Sequence, residues 1–183
     1  MPVLLKTKKM LFLIGFMGSG KSTVGRQLAK VLGADFSDLD DIIENAENQT
    51  IAAIFSEKGE HYFRELESHC LKSIHESEHP KVIAVGGGTP CFFDNIDWMN
   101  DNGITVFLNP SVDVLFNRLK SETAKRPVLE GKSDTALCKL ITEKLNSRLD
   151  YYKKAKIVID VQSNEVDVLA EVIRTLNTEM NAE

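Results

Sequence analysis

Five short apolar runs punctuate the chain, at Lys9 to Ile14, Ala34 to Ser37, Lys81 to Val85, Thr105 to Asn109 and Ile157 to Val161. Each is too short for a helix and is bounded by turn-forming residues, so each predicts a strand. Helical stretches lie between them. Lys21 to Leu32 ends at Gly33, Ser111 opens a helix running to Lys120, and Gly59 to Ser77 places Phe63, Leu66, Cys70 and Ile74 on one face. Val166, Leu169, Ile173 and Leu176 predict a last amphipathic helix packed on a sheet. Strands alternating with helices define an α/β chain: a mostly parallel five-stranded sheet with helices on both faces. In such sheets ligands bind at the carboxyl ends of the strands, and the residues just after each strand carry the chemistry.

The 183 residues, 43% hydrophobic and 27% charged, suffice for one domain with a sizeable core. A net charge of −5 gives no general attraction to nucleic acid, so an anionic ligand must meet locally placed Lys and Arg. Cys70, Cys91 and Cys138 share no metal-binding spacing and are odd in number, which fits a reducing cytoplasm. Lys6, Lys8 and Lys9 ahead of the run Met10 to Phe16 imitate a signal peptide, but no small-residue cleavage site follows. No run approaches the roughly 20 apolar residues of a membrane span.

The first strand runs into Gly15-Phe16-Met17-Gly18-Ser19-Gly20-Lys21-Ser22, which fits G-x-x-x-x-G-K-[ST]. Its glycines let successive N–H groups turn inward around a phosphate, Lys21 adds a positive charge, and the next helix aims its positive end at the same anion. Ser22 is placed to ligate Mg²⁺. After the second strand, alternation along Asp38-Leu39-Asp40-Asp41 puts Asp38 and Asp40 on one side, one to serve magnesium and the other a substrate hydroxyl. Capping of a helix is the competing reading, strongest for Asp41.

The third strand ends in Gly86-Gly87-Gly88-Thr89-Pro90, where three glycines permit close approach to the backbone and offer N–H donors. Arg64 and Glu67, three apart on a helix, taken alone read as an ordinary surface ion pair. The polar stretch Ser121 to Ser133, with Lys125, Arg126, Pro127 and Gly131, has no helical period and predicts a mobile lid whose phosphate-binding residue is Arg126. Arg118 ends the helix before that lid and Arg148 lies late in the helix after it; either reads equally as a solvated charge.

Together these stretches resemble the shikimate kinase family of P-loop small-molecule kinases, from about Lys9 to Leu176. The resemblance rests on the glycine loop through Thr23-Val24-Gly25, Asp38-x-Asp40, Arg64 with Glu67, Gly86 to Gly88, Arg126-Pro127-Val128-Leu129 and Arg148-x-x-Tyr151-Tyr152. It implies a three-layer P-loop kinase fold in a single domain, 1–183, and transfer of a phosphoryl group from ATP, with Mg²⁺, to the 3-hydroxyl of shikimate, a step towards chorismate and the aromatic amino acids. It also implies ATP binding by Gly15, Gly18, Ser19, Gly20, Lys21, Ser22 and Thr23, with Arg118 against adenine and Arg126 over the phosphates. Shikimate would meet Asp40, Arg64, Arg148 and Gly86 to Gly88, with Glu67 orienting Arg64, and Ser22 and Asp38 would serve the metal. Lys21, Asp40 and Arg126 would be catalytic. A cytoplasmic monomer, free of nucleic acid and membrane, is expected. Val128 replaces a frequent leucine, and Gln162-Ser163-Asn164 replaces the arginine or proline often found near adenine.

Two other motif matches are set aside. His75-Glu76-Ser77-Glu78-His79 fits a zinc-protease pattern, but Pro80 disfavours helical geometry at His79. Asn48-Gln49-Thr50 fits a glycosylation acceptor without a secretory signal. The alternatives to a shikimate kinase are a related small-molecule kinase, such as a gluconate kinase, and a nucleotide-binding module without transfer activity.

Overall fold

The computed structural model describes residues 10–74, 80–121 and 133–180. Its sheet has five parallel strands: β1 (Met10–Ile14), β2 (Asp35–Asp38), β3 (Lys81–Ala84), β4 (Gly103–Pro110) and β5 (Ile157–Val161), in the order β2-β3-β1-β4-β5. β1 is central, and all five of its residues are buried. Met10, Phe12 and Ile14 join one core while Leu11 and Leu13 join another, so apolar side chains fill both faces. That is why β1 reads as a continuous apolar run and not as an alternating one.

The first core gathers α2 (Leu39–Glu47), α3 (Ile51–Lys72), α4 (Asn95–Asn102), α5 (Val112–Lys120) and α6 (Asp134–Tyr152); the second gathers α1 (Lys21–Leu32) and α7 (Val168–Met180). The layering is therefore helices, sheet, helices, the P-loop kinase architecture. α1 ends at Gly33 in the left-handed conformation, and Ser111 caps α5 by accepting from the Val114 N–H.

The structure revises four sequence expectations. Asp38 and Asp40 do not share an extended segment: Asp38 ends β2 and caps α2, accepting from the Asp40 N–H, so Asp40 stands in the first helical turn and Asp41 is not the cap. The helix expected from Gly59 starts earlier, at Ile51 behind the Thr50 cap, and Gly59 (φ 80°) breaks it internally. It ends at Lys72, not Ser77. Val166 lies before α7 and is exposed; Val168 and Val172 are buried beside Leu176 in its place. The segment 75–79 with its zinc-protease pattern, Lys6 to Lys9, and the lid positions 122–132, Arg126 and Val128 included, lie outside the described residues.

Candidate active site

The carboxyl ends of β1, β2 and β3 open into one cleft of about 570 Å³. Its walls include Gly18 to Val24 of the glycine loop and α1, Asp38, Asp40, Gly86, Gly87 and Arg118. The loop reaches its shape through Gly18 and Gly20 at φ 76° and 98°, values that side-chained residues rarely adopt. Gly15 is required for space as well, since a Cβ there would stand 2.6 Å from the Leu108 carbonyl oxygen. Lys21 folds back to donate to the Gly15 and Phe16 carbonyls at 2.9 and 3.0 Å, holding its ammonium over the loop. Ser19 is buried, and Thr23 is exposed in the first turn of α1.

Ser22 Oγ donates to Asp38 Oδ2 at 2.6 Å, so two hard oxygen ligands from separate elements meet at the phosphate end of the cleft. Among the described residues no group of three or more His, Cys, Asp or Glu side chains could hold a metal ion. A hydroxyl and a carboxylate side by side suit an ion that keeps water and takes phosphate oxygens, as Mg²⁺ does.

Asp40 opens onto the cleft solvent with protein around its other sides. Desolvation by the cleft walls, and then the like charges of Asp38 and Glu67, push its pKa from 3.8 up to about 6, against a lowering pull from Lys21. A carboxylate so tuned suits proton acceptance near neutrality.

The triple glycine is where two arginines converge. A Cβ on Gly88 would lie 2.7 Å from Arg64 Nη1, and one on Gly87 would lie 3.3 Å from Arg148 Nη1. Here the glycines serve by leaving room for guanidinium groups, since Gly88 itself has an ordinary negative φ of −92°. Arg64, Gly88 and Arg148 are not walls of the large cleft; they adjoin it behind Gly86 and Gly87.

The Arg64–Glu67 pair is no ordinary surface pair. Its side chains are 11% and 1% exposed, Arg64 Nη1 donates to Glu67 Oε2 at 2.8 Å, and Phe55, Phe63 and Phe92 surround the guanidinium at 4.4 to 5.8 Å. The exposed Glu60 accepts from Arg64 Nε and Nη2 at 3.3 and 3.2 Å. Arg148 lies over the Phe16 ring at 5.6 Å.

Three contributors escape a reading of the sequence. Tyr152, fully buried, donates to the Gly87 carbonyl at 2.5 Å and so ties α6 to the triple glycine; burial pushes its phenol well above the usual range. Thr89 donates to Glu67 Oε1 at 2.5 Å. Asn164 accepts from Arg118 Nε at 3.0 Å while Arg118 Nη1 donates to the Gly18 and Ser19 carbonyls, both at 3.2 Å. The departure at Gln162-Ser163-Asn164 thus still meets the arginine expected near adenine. The adjacent tyrosines and the Thr after the glycines are faint signals; nothing in the sequence links Asn164 to Arg118.

A phosphate-binding glycine loop beside a hydroxyl–carboxylate pair and a tuned acid, on a 2-3-1-4-5 parallel sheet, defines a P-loop phosphotransferase. The family model for shikimate kinase matches residues 17–177. The shikimate kinase of Parabacteroides distasonis is 46% identical over 154 residues, 84% of this chain and 88% of that protein. A crystal structure of the Bacteroides thetaiotaomicron shikimate kinase superposes with a TM-score of 0.86 at 39% identity, covering 94% and 98% of the two chains. The Acinetobacter baumannii enzyme in complex with shikimate gives 0.79 at 28%, covering 96% and 94%. The chain belongs to the shikimate kinase family. A Sinorhizobium meliloti gluconokinase, 18% identical with a TM-score of 0.55, shares the fold alone.

Proposed function

We propose that this chain transfers the γ-phosphoryl group of ATP to the 3-hydroxyl of shikimate, with Mg²⁺, as a single-domain cytoplasmic monomer. The observation that carries the substrate assignment is the convergence of Arg64 and Arg148 on the triple glycine beside Asp40. Two guanidiniums grip one carboxylate, and a base a short way off meets a hydroxyl of the same small molecule. A gluconate kinase would also need an acid-binding site, but the gluconokinase that shares this fold is 18% identical to the chain, whereas the Parabacteroides distasonis shikimate kinase is 46% identical, and this favours shikimate.

In this reading the N–H groups of Gly18 and Gly20 cradle the phosphates, Ser19, whose N–H donates to the Phe16 carbonyl at 3.1 Å, holds the loop's shape between them, Ser22 and Thr23 continue the cradle, and Arg118 lies against adenine. Lys21 leaves the carbonyls it now holds and neutralises the β and γ oxygens. Ser22 and Asp38 would hold Mg²⁺, which would supply positive charge to stabilise the transferring phosphoryl group. Asp40 accepts the hydroxyl proton as the oxygen attacks phosphorus and the bond to ADP breaks. Arg126, placed by sequence in the lid, meets the equatorial oxygens. No helix among the described residues is long and apolar enough to cross a membrane.

Following ADP release with ATP, Mg²⁺ and a panel of hydroxy acids tests the assignment. Turnover should be fastest with shikimate, and phosphorus NMR should find the product esterified at the 3-oxygen. Preference for gluconate, or ADP release indifferent to acceptor, would overturn it.

A further inference from the structure

We infer that Thr89 is a positioning residue for the acceptor: its hydroxyl holds the Glu67 carboxylate at the angle that aims Arg64, and Asn95 and Ser68 brace it from behind. The inference rests on the proposed role of Arg64 as a carboxylate ligand. It is carried by a buried relay. Arg64 Nη1 donates to Glu67 Oε2 at 2.8 Å and Thr89 Oγ1 donates to Glu67 Oε1 at 2.5 Å, so each carboxylate oxygen has one donor. Asn95 Nδ2 donates to the Thr89 carbonyl at 3.0 Å, and Ser68 Oγ donates to Asn95 Oδ1 at 2.7 Å. Glu67, Thr89 and Asn95 are each 0% exposed and Ser68 is 9%.

Four polar side chains in an apolar core are expensive unless each finds its partner, and here each does. The relay starts on α3, crosses to the turn after the triple glycine, continues to the start of α4 and returns to α3. It therefore locks the element bearing Arg64 to the backbone it must face. Space is fully used: a Cβ on Gly86 would stand 2.7 Å from Glu67 Oε1 and 3.0 Å from Thr89 Oγ1. Without the Thr89 hydroxyl, Oε1 is left with no donor among the described residues. The carboxylate then turns both oxygens towards Arg64, and the guanidinium follows.

The test compares Thr89→Val, which keeps shape but cannot donate, with Thr89→Ser, which keeps the donor. Ser68→Ala perturbs the far end of the relay more mildly. A hydrogen bond to a charged group changes an equilibrium by roughly ten- to a hundredfold. Thr89→Val should raise KM for shikimate about tenfold with KM for ATP within twofold of wild type, Thr89→Ser should stay within about threefold, and Ser68→Ala should raise the acid's KM two- to threefold. If Thr89→Val does not fold, Ser68→Ala and Thr89→Ser carry the comparison. Equal behaviour of the Val and Ser variants, an equal rise in both KM values, or no rise with Ser68→Ala where Thr89→Val is unfolded overturns the inference. Arg64→Met is run alongside. An unchanged KM for shikimate there removes the parent assignment, whereas a raised KM with a silent Thr89→Val removes this inference alone.

Discussion

Asp40→Asn should stabilise the protein at neutral pH while removing most of its activity. Unfolded, this carboxyl has its ordinary pKa of 3.8; folded, it rises to about 6, chiefly by desolvation and then by Asp38 and Glu67. Between those values the native state holds a proton that the unfolded chain has released. Stability from this group is therefore greatest below about pH 4, falls as pH rises through the folded pKa of about 6, and levels off roughly a unit above it. At about 1.36 kcal/mol per unit the whole rise corresponds to roughly 3 kcal/mol. Because Asp40 is open to cleft water, solvent screening reduces this to about half. Removing a negative charge from the first turn of α2 gives back about 0.5 kcal/mol through the helix dipole. The net expectation is a gain of about 1 kcal/mol at pH 7.5 and none, or a slight loss, at pH 4. Urea unfolding of both proteins at the two pH values, with matched m-values, measures it. Loss of a positioned base should cut kcat by at least about a hundredfold. Destabilisation at pH 7.5, a gain of equal size at both pH values, or near wild-type kcat would refute the reasoning.

Arg64→Lys and Arg148→Lys should each raise KM for shikimate by tenfold or more while leaving ATP affinity nearly unchanged, because an ammonium cannot form two parallel bonds to a carboxylate; initial-rate kinetics in both substrates decides this. Lys21→Ala should abolish measurable transfer with the melting temperature preserved, since the two carbonyls it now holds can be met by water; rate assay and thermal melt together check it. Asp38→Asn should raise the Mg²⁺ concentration for half-maximal rate several-fold, because Ser22 loses its charged partner at the metal end; a magnesium titration of the rate checks it.

β1 was legible because a central parallel strand buried on both faces writes itself as an apolar run, and β5, an edge strand buried at alternate residues, was legible because Ile157, Val158, Ile159 and Val161 are apolar all the same; both fall within a residue or two of where those runs lie. The glycine loop was legible because phosphate binding demands residue types at fixed spacing. α2 was hidden for a local reason: Asp38, Asp40 and Asp41 fit an extended segment and a helical first turn equally, and only the Asp38 side chain reaching the Asp40 N–H decides between them. The burial of Arg64 and Glu67 was hidden for a tertiary reason. Spacing along α3 cannot reveal that Phe92, Thr89 and Gly88 arrive from a distant strand end to enclose them. Asn164 and Arg118 meet through the folding of separate helices and loops, and no periodicity reports such a contact.

The central claim is that two arginines and a triple glycine form a carboxylate clamp for the acceptor. Its most direct measurement is kcat/KM for shikimate against an analogue whose carboxylate is replaced by a hydroxymethyl group, at saturating ATP and Mg²⁺. Removing two charge-assisted hydrogen bonds at once should lower kcat/KM at least about a hundredfold, and Arg64→Met or Arg148→Met should shrink that gap. An analogue turned over within a few-fold of shikimate, or a gap that persists undiminished in both variants, would contradict the clamp.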